Sequence, residues 1–129
     1  MATRREARER ALGLCYELET RGFSVEDLLA GLNAPADPYA VALVRGVDEH
    51  RDEIDALLRK LSEHWALERM PAVDRALLRI GSYELGWERE LPTAVVIDEA
   101  VDLAREYSTK DSGRFVNALL ARVADELRT

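Results

Sequence analysis

Apolar residues recur at three- and four-residue intervals along almost the whole chain, and the alternation that marks half-buried strands is nearly absent. Ala7, Ala11, Leu14 and Leu18 define one face of a first helix. Ser24, with Asp27 three residues later, starts a short second helix in the manner of a capping box. The loop Asn33-Ala-Pro-Ala-Asp-Pro follows, and Asp37-Pro38 supplies an N-cap and first-turn pair for a third helix. From Tyr39 to Trp65 the pattern stays helical through Val44, Val47, Ile54, Leu57, Leu58 and Leu61. That run fits two helices, or one that bends near Asp48 to Arg51.

Glu68-Arg69-Met70-Pro71 breaks the pattern, and Pro71 to Trp87 predicts the helix on which the fold turns. At about 100° per residue, Val73, Ala76, Leu77, Ile80, Tyr83 and Trp87 form one stripe, and Leu78 and Leu85 a second. Only Arg75, Arg79, Ser82 and Gly86 are left as a narrow polar face. A helix apolar on two sides belongs at the centre of a bundle. Glu84 falls inside the apolar stripe, so it needs a partner. After the turn Leu91-Pro92-Thr93, Val96, Ala100, Leu103, Ala104 and Tyr107 mark the next helix. After Ser108 to Asp111, Val116, Leu119, Leu120, Val123 and Leu127 mark the last. The prediction is an all-α, compact bundle forming a single domain over residues 1–129.

Composition adjusts this picture little, and charge adjusts it more. The chain has 129 residues, 47% of them apolar, which is enough for a core without disulfides or metal. The formal net charge is −7, which spread evenly would repel nucleic acid. Yet Arg4, Arg5, Arg8 and Arg10 face only Glu6 and Glu9 within the first ten residues. Any anion-binding site is therefore a local patch. The single cysteine, Cys15, forms no internal disulfide and cannot build a cysteine zinc site, so no metal or cofactor is expected. No apolar run is long enough to cross a bilayer, and the start lacks a signal peptide's hydrophobic core; a soluble, cytoplasmic protein without membrane contact is expected.

Catalytic patterns are missing: His50 and His64 belong to no motif, and metalloprotease, phosphate-loop and nucleophile-elbow signatures do not occur. Cys15 reads as a packing thiol at the edge of the first helix's apolar face. The arginines carry more information. On a helical projection Arg4, Arg5 and Arg8 flank the apolar stripe with Tyr16 on the same side, while Arg10 points elsewhere. Fork-shaped cations beside an aromatic suit RNA, where phosphates take charge and unstacked bases take ring faces. An Arg5–Glu9 pair one turn apart is the competing use. In KDSGRFVNALL, Phe115 stands off the core stripe with Lys110 and Arg114, and Asp111 or Ser112 caps the helix start. Such a phenylalanine stacks on a base or closes the edge of the core; the sequence leaves both open.

Three segments together carry a family resemblance: ARERALGLCYELE, RMPAVDRALLRIGSYEL and LPTAVVIDEAVDLAREYSTKDSGRFVNALL. In order from about Arg4 to Leu120 they strongly resemble the NusB family of bacterial transcription antitermination factors. The combination of LRIxxYEL, a Pro-led VxxxEAVxLA helix and DSxxFVN is what makes the match specific. The resemblance implies about seven helices in two helical halves. It also implies binding of the boxA element of ribosomal RNA leaders jointly with NusE, a small-subunit ribosomal protein, within the antitermination complex of RNA polymerase. It places the family's arginine-rich motif on Arg4, Arg5 and Arg8, its RNA-facing tyrosine on Tyr16, and its DSxxF motif on Asp111, Ser112 and Phe115. The surface meeting NusE would include Glu68 and Asp74. Glu6 interrupts the arginines, Ser62 replaces an aromatic found in some relatives, and Ala118 replaces the glycine usual after FVN. Some relatives self-associate and hide their RNA surface, so a homodimer stays open.

Two rival readings share this helical pattern. NusB-like domains also precede the catalytic domain of ribosomal-RNA cytosine methyltransferases, which would require a Rossmann-type domain beyond Thr129; a free-standing factor is expected. A helical protein-interaction adaptor without direct RNA binding, its arginines merely solvated, is the other.

Overall fold

A computed structural model describes residues 2–63 and 65–128. His64 therefore lies outside the described residues. The expected all-α bundle is what forms, with seven α-helices among the described residues: α1 (Arg4–Arg21), α2 (Val25–Ala30), α3 (Pro38–Glu49), α4 (Arg51–Leu61), α5 (Ala72–Trp87), α6 (Thr93–Tyr107) and α7 (Ser112–Arg128). A 3-10 turn at Leu67–Arg69 leads into α5. None of these helices is long and apolar enough to cross a membrane.

Local chemistry sets the boundaries. Thr3 and Glu6 form a reciprocal capping box at the start of α1, and Gly22, at φ 71°, closes its end in the left-handed conformation. Glu6 thus interrupts the arginines for a structural reason: its carboxylate accepts the Thr3 N–H at 2.9 Å. Ser24 accepts from Asp27 N–H at the head of α2, and Asp37 accepts from Tyr39 N–H ahead of Pro38 on α3. The long run after Tyr39 resolves into two helices that share His50 as their boundary. The His50 ring stacks on Trp87 with centroids 4.1 Å apart, so the break is held against α5.

α5 is the hub, packing against α1, α3, α4, α6 and α7. α1, α2 and α3 form one half, α6 and α7 with the second face of α5 form the other, and α4 bridges to α7. Close approach needs glycine at two points. A Cβ at Gly46 would lie 2.2 Å from the Tyr83 ring, and one at Gly81 would lie 2.8 Å from Leu120.

The polar face predicted for α5 is not a solvated one. Arg79 and Ser82 are buried. Arg79 donates to Asp55 of α4 at 2.8 and 3.0 Å and to Glu19 of α1 at 2.8 Å. Arg75 pairs with Glu19 and also donates to the carbonyls of Leu67 and Met70. These two arginines hold the Glu19 carboxyl down at about 2. Polar residues at helical spacing here mark an internal seam among three helices, a case periodicity alone cannot separate from a wet face. At the far end of α5, Arg128 donates to the carbonyls of Leu85, Glu88 and Leu91 and to Thr93 Oγ1, which closes the α5–α6 turn.

Candidate nucleic-acid interface

The N-terminal arginines of α1 separate into three environments. Arg4 is exposed and lies over the Tyr39 ring, 3.6 Å from its centroid. Arg5 is part-exposed and reaches across to α6, within 3.5–3.6 Å of Glu99, Asp102 and Glu106. The competing Arg5–Glu9 pairing gives way to this arrangement, and Glu9 accepts the Tyr107 hydroxyl at 2.6 Å. Arg10 is exposed.

Arg8 departs from the sequence expectation of a charge offered at the surface. Its residue is 4% exposed, and its guanidinium holds Glu84 at 3.0–3.1 Å through Nε and at 3.0 Å through Nη2. Nη1 lies 3.5 Å from Glu99, and the Tyr39 hydroxyl donates to the same Glu84 carboxylate. This is the partner that a carboxylate inside the α5 apolar stripe required. Burial, and after it the bond to Glu84, pushes the Tyr39 phenol well above its ordinary range.

Tyr16, at 44% exposure, stands on the rim of a hollow between α1, α5 and α6. Across it stands Tyr107, 48% exposed, although its spacing had placed it on the core stripe of α6. Tyr107 is the last residue of α6, and its side chain lies over the rim, bonded to Glu9 instead.

The second cluster divides as well. Lys110, Asp111 and Arg114 are exposed and line a polar cleft of about 610 Å³ with Asp98, Asp102 and Arg105 of α6. Asp102 therefore borders both this cleft and Arg5, which joins the two cationic regions across α6. Ser112 is buried; its hydroxyl accepts the Thr109 N–H at 3.2 Å and donates to Asp74 at 2.8 Å. Phe115 turns away from the cleft and meets the edge of Trp65 at 5.3 Å and 72°. The two rings border a hollow of about 290 Å³ with Ser62, Glu63, Ala118 and Arg122.

Of the two residues expected to face a protein partner, Glu68 is exposed and bonded to Arg59 at 2.6 and 3.1 Å. Asp74 is corrected: it is fully buried, accepting from Ser108 and Ser112, and offers no surface. It sits in the first turn of α5, directed at the α6–α7 turn, so what it does is pin the start of α7. Cys15 is the packing thiol expected, with burial pushing it up to about 12. His50 likewise is accounted for by its stack on Trp87.

Sequence reasoning missed the α6 carboxylates Glu99, Asp102 and Glu106, as well as Tyr39, Trp65 and Tyr107. The spacing of Glu99, Asp102 and Glu106, three and four residues apart, was the available signal for one continuous acidic face beside the arginines.

These features define a class: a helical protein with a cation-and-aromatic flank on α1, balanced by an acidic ridge on α6. The model of the NusB family matches residues 5–125, and the chain belongs to that family. The transcription antitermination protein NusB of Kineococcus radiotolerans is 49% identical, over 97% of this chain and 95% of its own length. That of Saccharopolyspora erythraea is 48% identical, over 100% and 93%. Among solved structures, NusB of T. maritima superposes with a TM-score of 0.88 at 35% identity, covering 99% of this chain and 94% of that one. A complex of the antitermination factors NusB and NusE with double-stranded RNA contains a chain that matches with a TM-score of 0.80 at 28% identity, over 95% and 96%.

Proposed function

We propose that this protein is a transcription antitermination factor that binds boxA RNA jointly with NusE, as one RNA-binding domain, within the cytoplasmic transcription machinery. The observation that carries this reading is the flank of α1 on which Arg4, Arg5 and Tyr16 remain at the surface, in a chain of the NusB family. Arg5 and its partners Asp102 and Glu106 are all partly solvent-exposed. Such pairs contribute about 1 kcal/mol or less, so an RNA phosphate can replace the carboxylates. Lys110 and Arg114 lie beyond Asp102 and extend the cationic track.

Arg8 has a different task in this reading. Its guanidinium is committed to Glu84, so it seats α1 on α5 and sets the angle at which Arg4, Arg5 and Tyr16 meet the RNA. Few free cations and a net charge of −7 give weak binding by this chain alone. A basic partner on the same RNA raises the effective concentration and adds phosphate contacts. Glu68, exposed on the turn ahead of α5, is the surface offered to NusE.

The test is filter binding of labelled boxA RNA against a scrambled RNA, with and without NusE. Selective retention that strengthens with NusE is expected. Equal retention of both RNAs, or no gain from NusE, would overturn the joint-binding reading in favour of a protein-only adaptor.

A further inference from the structure

The hollow between α1, α5 and α6 is lined by Glu9, Leu12, Gly13, Tyr16, Val73 and Tyr107 and has a volume of about 390 Å³. We propose that it is a slot for one unstacked nucleobase, with Tyr16 and Tyr107 as its aromatic rims and the bare backbone at Gly13 leaving the space between them. The inference rests on the RNA-binding reading above and adds to it a second aromatic and a steric determinant.

Four observations carry it. Tyr16 and Tyr107 are two of the few large apolar side chains that stay exposed, and both border this one hollow. The Tyr107 hydroxyl is bonded to Glu9 at 2.6 Å, so its ring is oriented before any ligand arrives and loses little freedom on binding. A Cβ at Gly13 would meet nothing within 4 Å, so the helix surface there is open rather than packed. The lining holds one carboxylate and no cation, which excludes a phosphate and suits an apolar ring face. Residues 5 and 16 are also eleven apart, about three turns of helix, and so lie on one line of α1. The charge that takes phosphates and the slot that takes a base follow each other along the same helix.

The experiment uses the full chain with NusE and boxA RNA carrying 2-aminopurine at one position at a time. In the wild-type complex one position should show a strong change in emission. Gly13→Leu fills the slot while improving helix propensity, so it should melt no lower than wild type. Its RNA affinity should fall about tenfold, as should that of Tyr107→Ala, which is the scale of one lost base stack. Both variants should lose the emission change at that position. Unchanged affinity in both variants, while Arg5→Ala still weakens binding, overturns the slot and leaves the RNA-binding reading standing. Loss of affinity with the emission change intact places the base elsewhere and also overturns it. Dissociation of a dimer by Tyr107→Ala at constant RNA affinity makes a second copy the occupant, which overturns it too. A wild-type complex that binds no RNA overturns both the slot and the reading beneath it.

Discussion

Arg8 reaches Glu84 at 3.0 Å inside a closed interior, whereas Arg5, three residues earlier, reaches Asp102 and Glu106 at 3.5 Å in contact with solvent. The same side chain on the same helix therefore has two physical meanings. Removing Arg8 strands a buried carboxylate, so Arg8→Ala should lower the unfolding free energy by about 3 kcal/mol or more, read by urea denaturation. Arg5→Ala removes only exposed pairs and should cost less than about 1 kcal/mol in the same measurement. If the two variants lose equal stability, the division of labour between these arginines is wrong. Burial is what the sequence could not tell: Arg4, Arg5 and Arg8 project to one flank, and only the positions of α3 and α5 decide which of them is covered.

At the scale of elements, α5 is where the fold is most exacting. A Gly46→Ala change puts a methyl into the Tyr83 ring at the α3–α5 contact, and overpacking of this kind costs about 1–3 kcal/mol. Thermal melting of that variant checks it, and an unchanged midpoint would mean the ring moves aside freely. The seam of Glu19 with Arg75 and Arg79 ties α1 to α5 and gives the protein a pH signature. Glu19 sits at about 2 in the folded state against about 4.3 when unfolded. Its contribution is therefore full above the unfolded value and is lost as pH falls toward 2. Stability measured between about pH 5 and pH 2 should fall less steeply for Glu19→Gln than for wild type; parallel curves would contradict it. The helices themselves were legible, because apolar spacing, caps and prolines act locally. Asp74 and the polar face of α5 were not, because a carboxylate or arginine in a helix pattern looks the same whether water or two serines receive it. Tyr107 misled for a related reason: its spacing fits the core, but the helix ends there and the ring leaves the stripe.

Across the whole molecule, an acidic chain carries a narrow cationic track, and that track is bordered by the protein's own carboxylates. On the proposed reading, RNA displaces Glu99, Asp102 and Glu106 from Arg5 to gain that contact, which favours binding only where a partner holds the RNA nearby. Charge removal on the ridge should expose this competition. Asp102→Asn should tighten boxA binding by the NusE complex by several-fold at low salt, with the difference shrinking as salt screens it; an equal or weaker affinity would show that the ridge does not compete.

The central claim is that the surface arginine of α1, rather than the buried one, meets RNA phosphate. The measurement that tests it most directly is the salt dependence of boxA affinity for the complex with NusE, wild type against Arg5→Ala. A phosphate contact made by Arg5 predicts weaker binding and a log–log salt slope shallower by about 1. An unchanged affinity and an unchanged slope would contradict the account.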